Sequence, residues 1–181
     1  MHEYYPKYYY FIDKLDIEDI KNLNNKIAII YRNYKNKPKN CEIEKFYNFC
    51  KKNKIKFLIS NYFDIALKFD LDGFYIPSFN KNFYSKNKCY KKKFLLVGSA
   101  HNVKEIKIKE KQNVKLIFIS PVFKTKKNKH FLDIIKFNNL SRITKKPIVA
   151  LGGINKQNFR KLKMTNAVGF SGISHIRKII N

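Results

Sequence analysis

Three short stretches of this 181-residue chain carry residue types suited to holding a phosphate ester. "VALGGINKQN" runs an apolar segment into Gly152 and Gly153 and then into polar residues able to open a helix. Paired glycines let a backbone approach an anion with no Cβ in the way, and a helix start behind them points free N–H groups at it. "VGFSGIS", residues 168–174, repeats the apolar run, glycine and hydroxyl. "LIFISPVFKTKK" ends a third apolar run in Ser120 to Thr125, flanked by Lys124, Lys126 and Lys127. The same glycines serve in tight turns, and spacing alone does not separate the two uses.

These stretches sit at regular intervals in a larger pattern. Strand candidates are Tyr8–Ile12, Ile27–Tyr31, Phe57–Ser60, Gly73–Ile76, Phe94–Val97, Leu116–Ile119, Ile148–Ala150 and Ala167–Phe170. Helix candidates lie near Ile17–Leu23, Glu42–Asn53, Phe63–Phe69, Val103–Lys111, His130–Ile143 and Lys156–Leu162. Among these, "EIEKFYNFCKK" and "HFLDIIKFNNLSRI" show the apolar spacing of helices with one buried face, which places Cys50 in the core. Asn61, Asn102 and Asn155 stand where N-caps would open the following helices. Apolar strands alternating with helices call for a parallel sheet covered on both faces. The expected fold is α/β, a single (β/α)8 TIM barrel over residues 1–181, with short loops and at least one missing helix, around Lys81–Lys93. An open doubly wound sheet is the second choice.

In either architecture ligands meet the residues just after the strands. Those positions supply Arg32, Asn61, Ser99 with His101 and Asn102, Thr125 with Lys127, Gly152 with Gly153, and the "SGIS" turn. His101 offers acid/base chemistry or a cap. Asp13, Asp64, Asp72 and Asp133 do not show a metal-ligand spacing, and Asp72 suits a turn. No Walker-type loop, HExxH motif or nucleophile elbow occurs.

The net charge of +26 points first to a polyanion partner. Only four of the 39 basic residues are arginines, however, and the other 35 are lysines spread along the whole chain. Lysine, asparagine, isoleucine, phenylalanine and tyrosine share A/T-rich codons, so base composition accounts for the excess. A nucleic-acid reader draws more on arginine, and would give steeply salt-dependent binding from one contiguous basic face. Phosphorylated small molecules are therefore the expected partners, in place of nucleic acid. No run of about 18 apolar residues occurs, so no membrane span is expected. Cys41, Cys50 and Cys89 form no CxxC pair and the N-terminus lacks signal-peptide features, as for a reduced cytoplasmic protein. Nothing in the sequence excludes assembly into an oligomer.

At their spacing and order, "FISPVFKTKK", "PIVALGGINKQN" and "GFSGIS" resemble the thiamine-phosphate synthase and thiazole tautomerase (TenI-like) superfamily. "KFLISNYFDIALKFDLDGFYIP" and "VGSAHNVKEI" resemble its third-to-fifth strand region. The resemblance implies a (β/α)8 barrel that joins a hydroxymethylpyrimidine diphosphate to a thiazole phosphate with Mg²⁺. It further implies a thiazole-phosphate cradle at Gly152, Gly153, Ile173 and Ser174, with Thr125 and Lys127 beside it. Arg32, Asn61 and Ser99 fall at positions that hold the pyrophosphate. Several positions depart from the pattern. The family's Gln-x-Arg-x-Lys reads Ile30, Arg32 and Tyr34, and its Asn-Asp pair reads Asn61-Tyr62. After strand four only Asn80 is available, and no Asp occurs from 73 to 132, so the usual Mg²⁺ carboxylates are missing. The tautomerases' His before Val-Phe-x-Thr is Pro121 here.

Overall fold

The structure, a computed structural model, describes residues 5–84, 93–125 and 130–172. Its strands are β1 (Tyr8–Ile12), β2 (Ile27–Tyr31), β3 (Lys56–Ser60), β4 (Gly73–Ile76), β5 (Leu95–Ala100), β6 (Leu116–Ile119), β7 (Ile148–Leu151) and β8 (Gly169–Gly172). Every neighbouring pair is parallel, β8 pairs with β1, and the sheet closes in chain order. The closed ring excludes the open doubly wound sheet. The apolar strand sequences follow from burial on both sides. One cluster, including Tyr9, Ile30, Leu58, Val97, Phe118 and Val149, fills the barrel. A second, including Ile29, Phe57, Phe74, Ile106, Ile117 and Phe137, lies between strands and helices.

Among the described residues four α-helices surround the ring: α1 (Asn40–Lys52), α2 (Phe63–Lys68), α3 (Val103–Lys111) and α4 (Asp133–Ser141). In α1 the Glu42 carboxylate accepts from the Lys39 N–H at 3.0 Å, while Ile43, Phe46, Tyr47 and Cys50 face the core. Asn102 caps α3 as expected, its Oδ1 accepting from the Glu105 N–H at 3.0 Å.

Other expectations need correcting. The helix expected near Ile17–Leu23 is a pair of turns closed by Ile20 N–H to Ile17 O and Leu23 N–H to Ile20 O, both 3.0 Å. Burying Ile20 and Leu23 anchors the segment in these two turns. The helix expected at Lys156–Leu162 is a 3-10 helix at Phe159–Met164. The one expected at His130–Ile143 is trimmed to Asp133–Ser141. Strand β8 lies two residues later than the expected Ala167–Phe170. Asn61 is not an N-cap. It turns the chain at φ 68° and Tyr62 occupies the cap position, without a side-chain bond. Asparagine tolerates this left-handed conformation better than most residues. Of the segment expected to lack a helix, residues 81–84 and 93 are described and non-helical.

Candidate active site

The strand register sets which side chains meet inside the barrel. Alternate residues face inward, and residues of one layer come from alternate strands. Following the pairings, Tyr9, Leu58, Val97 and Val149 make one layer, and Ile30, Tyr75, Phe118 and Ser171 the next toward the C-terminal end. Phe11, Ser60, Ser99 and Leu151 follow, and above them stand Arg32, Pro77 and Ser120. Ring contacts tie the layers together: Tyr9 to Phe118 at 4.9 Å, Phe118 to Tyr75 at 5.7 Å, and Tyr75 to Phe11 at 5.2 Å. The plug is thus apolar below and gains hydroxyls and a guanidinium toward the mouth.

Arg32 is the cation of this ring. Its guanidinium lies 4.6 Å from the centroid of Phe11, and its N–H donates to Ile12 O at 2.8 Å, which fixes the start of the β2 loop against β1. Burial pushes the Tyr75 phenol up to about 12, while the Ser99 hydroxyl and Arg32 charge pull it back. Tyr75 is therefore a neutral donor at pH 7. Tyr34 is 45% exposed as a residue, yet burial raises its phenol too, with Arg32 and Ser60 opposing. Its hydroxyl end is turned inward and its ring outward. Ser60 is buried, and the Tyr34 hydroxyl is the polar group that faces its Oγ. The exposed ring of Tyr34 meets that of Phe79, on the β4 loop, edge to face at 5.7 Å.

Two of the expected site residues, Arg32 and Ser99, therefore meet around Tyr75. Asn61 is exposed at the adjoining end of β3. Next to Arg32 on the β1 side, a cavity of about 480 Å³ is lined by Tyr10, Asp13, Lys14, Asp16 and Asp19. His101, exposed on the β5 loop, is held by Glu105 at 2.9 Å from its Nδ1, and is not a cap.

On the opposite side of the mouth, the β6 and β7 loops are joined through the main chain. Val122 N–H donates to Leu151 O at 3.0 Å, and Phe123 N–H donates to Gly152 O at 3.1 Å. Gly152 and Gly153 have φ of 95° and 71°, and a Cβ on Gly153 would overlap the Phe123 carbonyl. The glycines thus serve loop packing, the turn use left open by the sequence. Asn158 Nδ2 donates to Gly153 O at 2.7 Å, and its Oδ1 accepts from Asn155 N–H at 2.8 Å. Carbonyls 151, 152 and 153 are all tied back to protein donors. The expected helix start behind Gly153 is absent, since the 3-10 helix begins at Phe159. Thr125 is half-buried at the end of the β6 loop. Lys127, Ile173 and Ser174 lie outside the described residues.

Sequence reading missed Ser60 and Tyr75, which lie within strands, because it considered only residues after the strands. The available signal was a polar residue at the last inward position of an otherwise apolar strand, as in "KFLIS" and "GFYI".

Among the described residues, no group of three His, Cys, Asp or Glu side chains is placed to hold a metal ion. Asn80 is already engaged, its Oδ1 accepting from Asn82 N–H at 2.9 Å and its Nδ2 donating to Tyr84 OH at 2.8 Å.

Known proteins share this fold. The thiamine monophosphate synthase family profile matches residues 22–176. The chain is 32% identical over 141 residues to a thiamine-phosphate synthase of Prochlorococcus marinus, covering 77% of this chain but only 40% of that protein. It is 32% identical over 150 residues to the thiamine-phosphate synthase of Clostridium novyi, covering 77% of this chain and 74% of the relative. The solved thiamine phosphate pyrophosphorylase from Pyrococcus furiosus superposes with a TM-score of 0.72 at 22% identity, over 93% of this chain and 86% of that one. With the profile covering most of its length and its barrel closed in the same way, the chain belongs to the thiamine monophosphate synthase family.

Proposed function

We propose that this chain is a single-domain thiamine-phosphate synthase-type transferase. It would join a hydroxymethylpyrimidine diphosphate to a thiazole phosphate, releasing pyrophosphate. The observation that carries this reading is the joined β6 and β7 loops at Gly152 and Gly153, in a chain of this family. With the loop carbonyls engaged by Val122, Phe123 and Asn158, the polar groups left to meet a phosphate are N–H groups. Thr125, Lys127, Ile173 and Ser174 complete this cradle for the thiazole phosphate.

The leaving group falls to the other side of the mouth, with Arg32, Asn61 and Ser99. In the first step the pyrimidine methylene C–O bond breaks and pyrophosphate departs with the electron pair. The thiazole nitrogen then gives its lone pair to the methylene carbon, forming the new C–N bond. Arg32 and nearby lysines such as Lys35 offset the charge that develops on the leaving oxygen. The Tyr75 phenol and Ser99 hydroxyl are donors within reach of Arg32.

The family relies on Mg²⁺ at this point, and the residues present do not fit a protein-held Mg²⁺. This hard ion favours carboxylate oxygens. The chain offers Asn61-Tyr62 and an Asn80 amide already committed to Asn82 and Tyr84. No step is therefore routed through the ion. Among the described residues no helix is long and apolar enough to cross a membrane, which accords with work in the cytoplasm.

The missing carboxylates favour a second reading, a binding protein that holds the thiazole phosphate without turnover. Incubating both substrates with and without Mg²⁺ and measuring thiamine phosphate separates the two. Synthesis that falls at least about 100-fold in Arg32→Ala supports the transferase. Saturable thiazole-phosphate binding without product supports the binding protein, and absence of both refutes the site.

A further inference from the structure

The lysine excess follows from base composition, but where the lysines stand in the fold does not. Six of the eight strands begin within two residues of a lysine: Lys7, Lys26, Lys54, Lys93, Lys115 and Lys146. All eight strands are parallel and the ring is closed, so these side chains gather at one end of the barrel, opposite the mouth. Lys7, Lys26, Lys54 and Lys93 are exposed there. The helices run back antiparallel to the strands, and the last turns of α1, α2 and α3 add further lysines to the same end. Their first turns, toward the mouth, are acidic. The helix dipole favours that arrangement within helices, yet it has no bearing on residues that precede strands. Among the described residues, the acids at the basic end are Asp70, Asp72 and Glu110. Asp72 accepts from the Phe57 N–H, and Glu110 accepts from Thr144 Oγ1 and Lys107 Nζ.

We propose that this end of the barrel docks on an anionic membrane surface. The starts of strands in a closed ring form a broad rim, so a plane of headgroups meets several lysines at once. Lysine is a point charge on a long flexible stem, and each one near an anionic leaflet adds to the attraction. A nucleic-acid reader draws more on the arginine fork, and all six rim cations are lysines. Two apolar side chains at the same end support the same choice. Met164, which ends the 3-10 helix, is 68% exposed, and Val168, just before β8, is 50% exposed. Apolar tips beside lysines gain burial at a headgroup boundary, which a phosphate backbone does not offer. Docked in this way, the chain presents its mouth to the solvent. The inference does not rest on the transferase reading.

The test is cosedimentation of the full chain, at physiological salt, with vesicles of equal parts phosphatidylcholine and phosphatidylglycerol. Binding to these vesicles, weakened by added salt and absent with phosphatidylcholine alone, is the expected result. Lys7→Glu, Lys26→Glu and Lys93→Glu combined should weaken it about 100-fold, at about fivefold for each lysine. Lys45→Glu, Lys104→Glu and Lys136→Glu combined lie on the helices, change the net charge equally and should weaken it less than about tenfold. All six positions are exposed, so both variants fold, and thermal melts verify it. No binding to the anionic vesicles would overturn the docking face. Equal losses in the two variants would do the same, since net charge alone would then be the cause. Duplex DNA that binds more tightly than the vesicles, and weakens only in the first variant, would also overturn it by assigning the rim to nucleic acid.

Discussion

Replacing Gly153 by alanine tests whether the phosphate loop is held by packing between main chains. At φ 71° an alanine carries a left-handed penalty of about 1–2 kcal/mol. The added Cβ would overlap the Phe123 carbonyl oxygen and lie 2.6 Å from that of Lys124, and main-chain atoms cannot turn aside as a side-chain tip can. The β6 loop must move away, weakening the Phe123–Gly152 and Val122–Leu151 hydrogen bonds at about 0.5–1.5 kcal/mol each. Together these give a loss of about 2–5 kcal/mol. For a domain of this size that is a fall of roughly 4–20 °C in Tm. Urea melts followed by circular dichroism give the free energy, and thiazole-phosphate titration of the folded variant gives the effect on the site. A loss below about 0.5 kcal/mol, the scale of an ordinary surface change, would refute the packing argument. Unchanged stability with abolished phosphate binding would show that the missing Cβ matters only to the ligand.

Three further outcomes follow from buried polar groups. Lys109 is fully buried, with its Nζ donating to Pro77 O at 2.8 Å, Asn80 O at 2.9 Å and Gln112 Oε1 at 2.8 Å, and burial lowers its pKa to about 8 against a weaker opposing pull from Glu105. The unfolded chain keeps that proton to about pH 10, so between these values it binds more protons than the native state and stability should rise with pH. Lys109→Met should lack this rise in urea melts, and should speed hydrogen exchange in residues 77–82. Asp72 Oδ2 accepts from the buried Phe57 N–H at 3.0 Å, so Asp72→Ala should cost about 1–3 kcal/mol in the same melts. Cys50 is buried with its thiol raised to about 12 by desolvation and then by Asp72, whereas Cys41 is exposed. Iodoacetamide with peptide mapping should modify Cys41 of the native protein at least about tenfold faster than Cys50.

Much of the barrel was legible because both faces of each strand are buried. "IAIIY" and "LIFI" read as strands by their unbroken apolar character. The Glu105 and Asn102 side chains around "AHNVKE" likewise placed the start of α3. What was not legible depended on distant partners. Residues 17–23 have helix-like spacing, but burying Ile20 and Leu23 is satisfied by two turns. Asn61 looked like a cap, yet the Tyr62 N–H bonds Ser60 O at 2.9 Å and the helix starts one residue later. Tyr75 reads locally as an ordinary strand aromatic. Only the stagger of β4 against β3 and β5 puts it under Arg32 and Ser99.

The two sides of the mouth are built from different material, and that explains what the sequence revealed of each. Around β6 and β7 the loops are joined through the main chain, in which glycines are required by positive φ and by close approach to Phe123 and Pro121. Main-chain N–H groups, where they meet an anion, bond its oxygens and are indifferent to what the anion carries. Around β2 to β5 the mouth is lined by side chains whose inward position follows from register: Arg32, Ser60, Tyr75 and Ser99. The family's chemistry requires charge to be offset on this second side, and here one guanidinium stands among hydroxyls and aromatic rings. The joined β6 and β7 loops thus accord with membership of the family, while Arg32→Ala is the substitution that tests the proposed reaction.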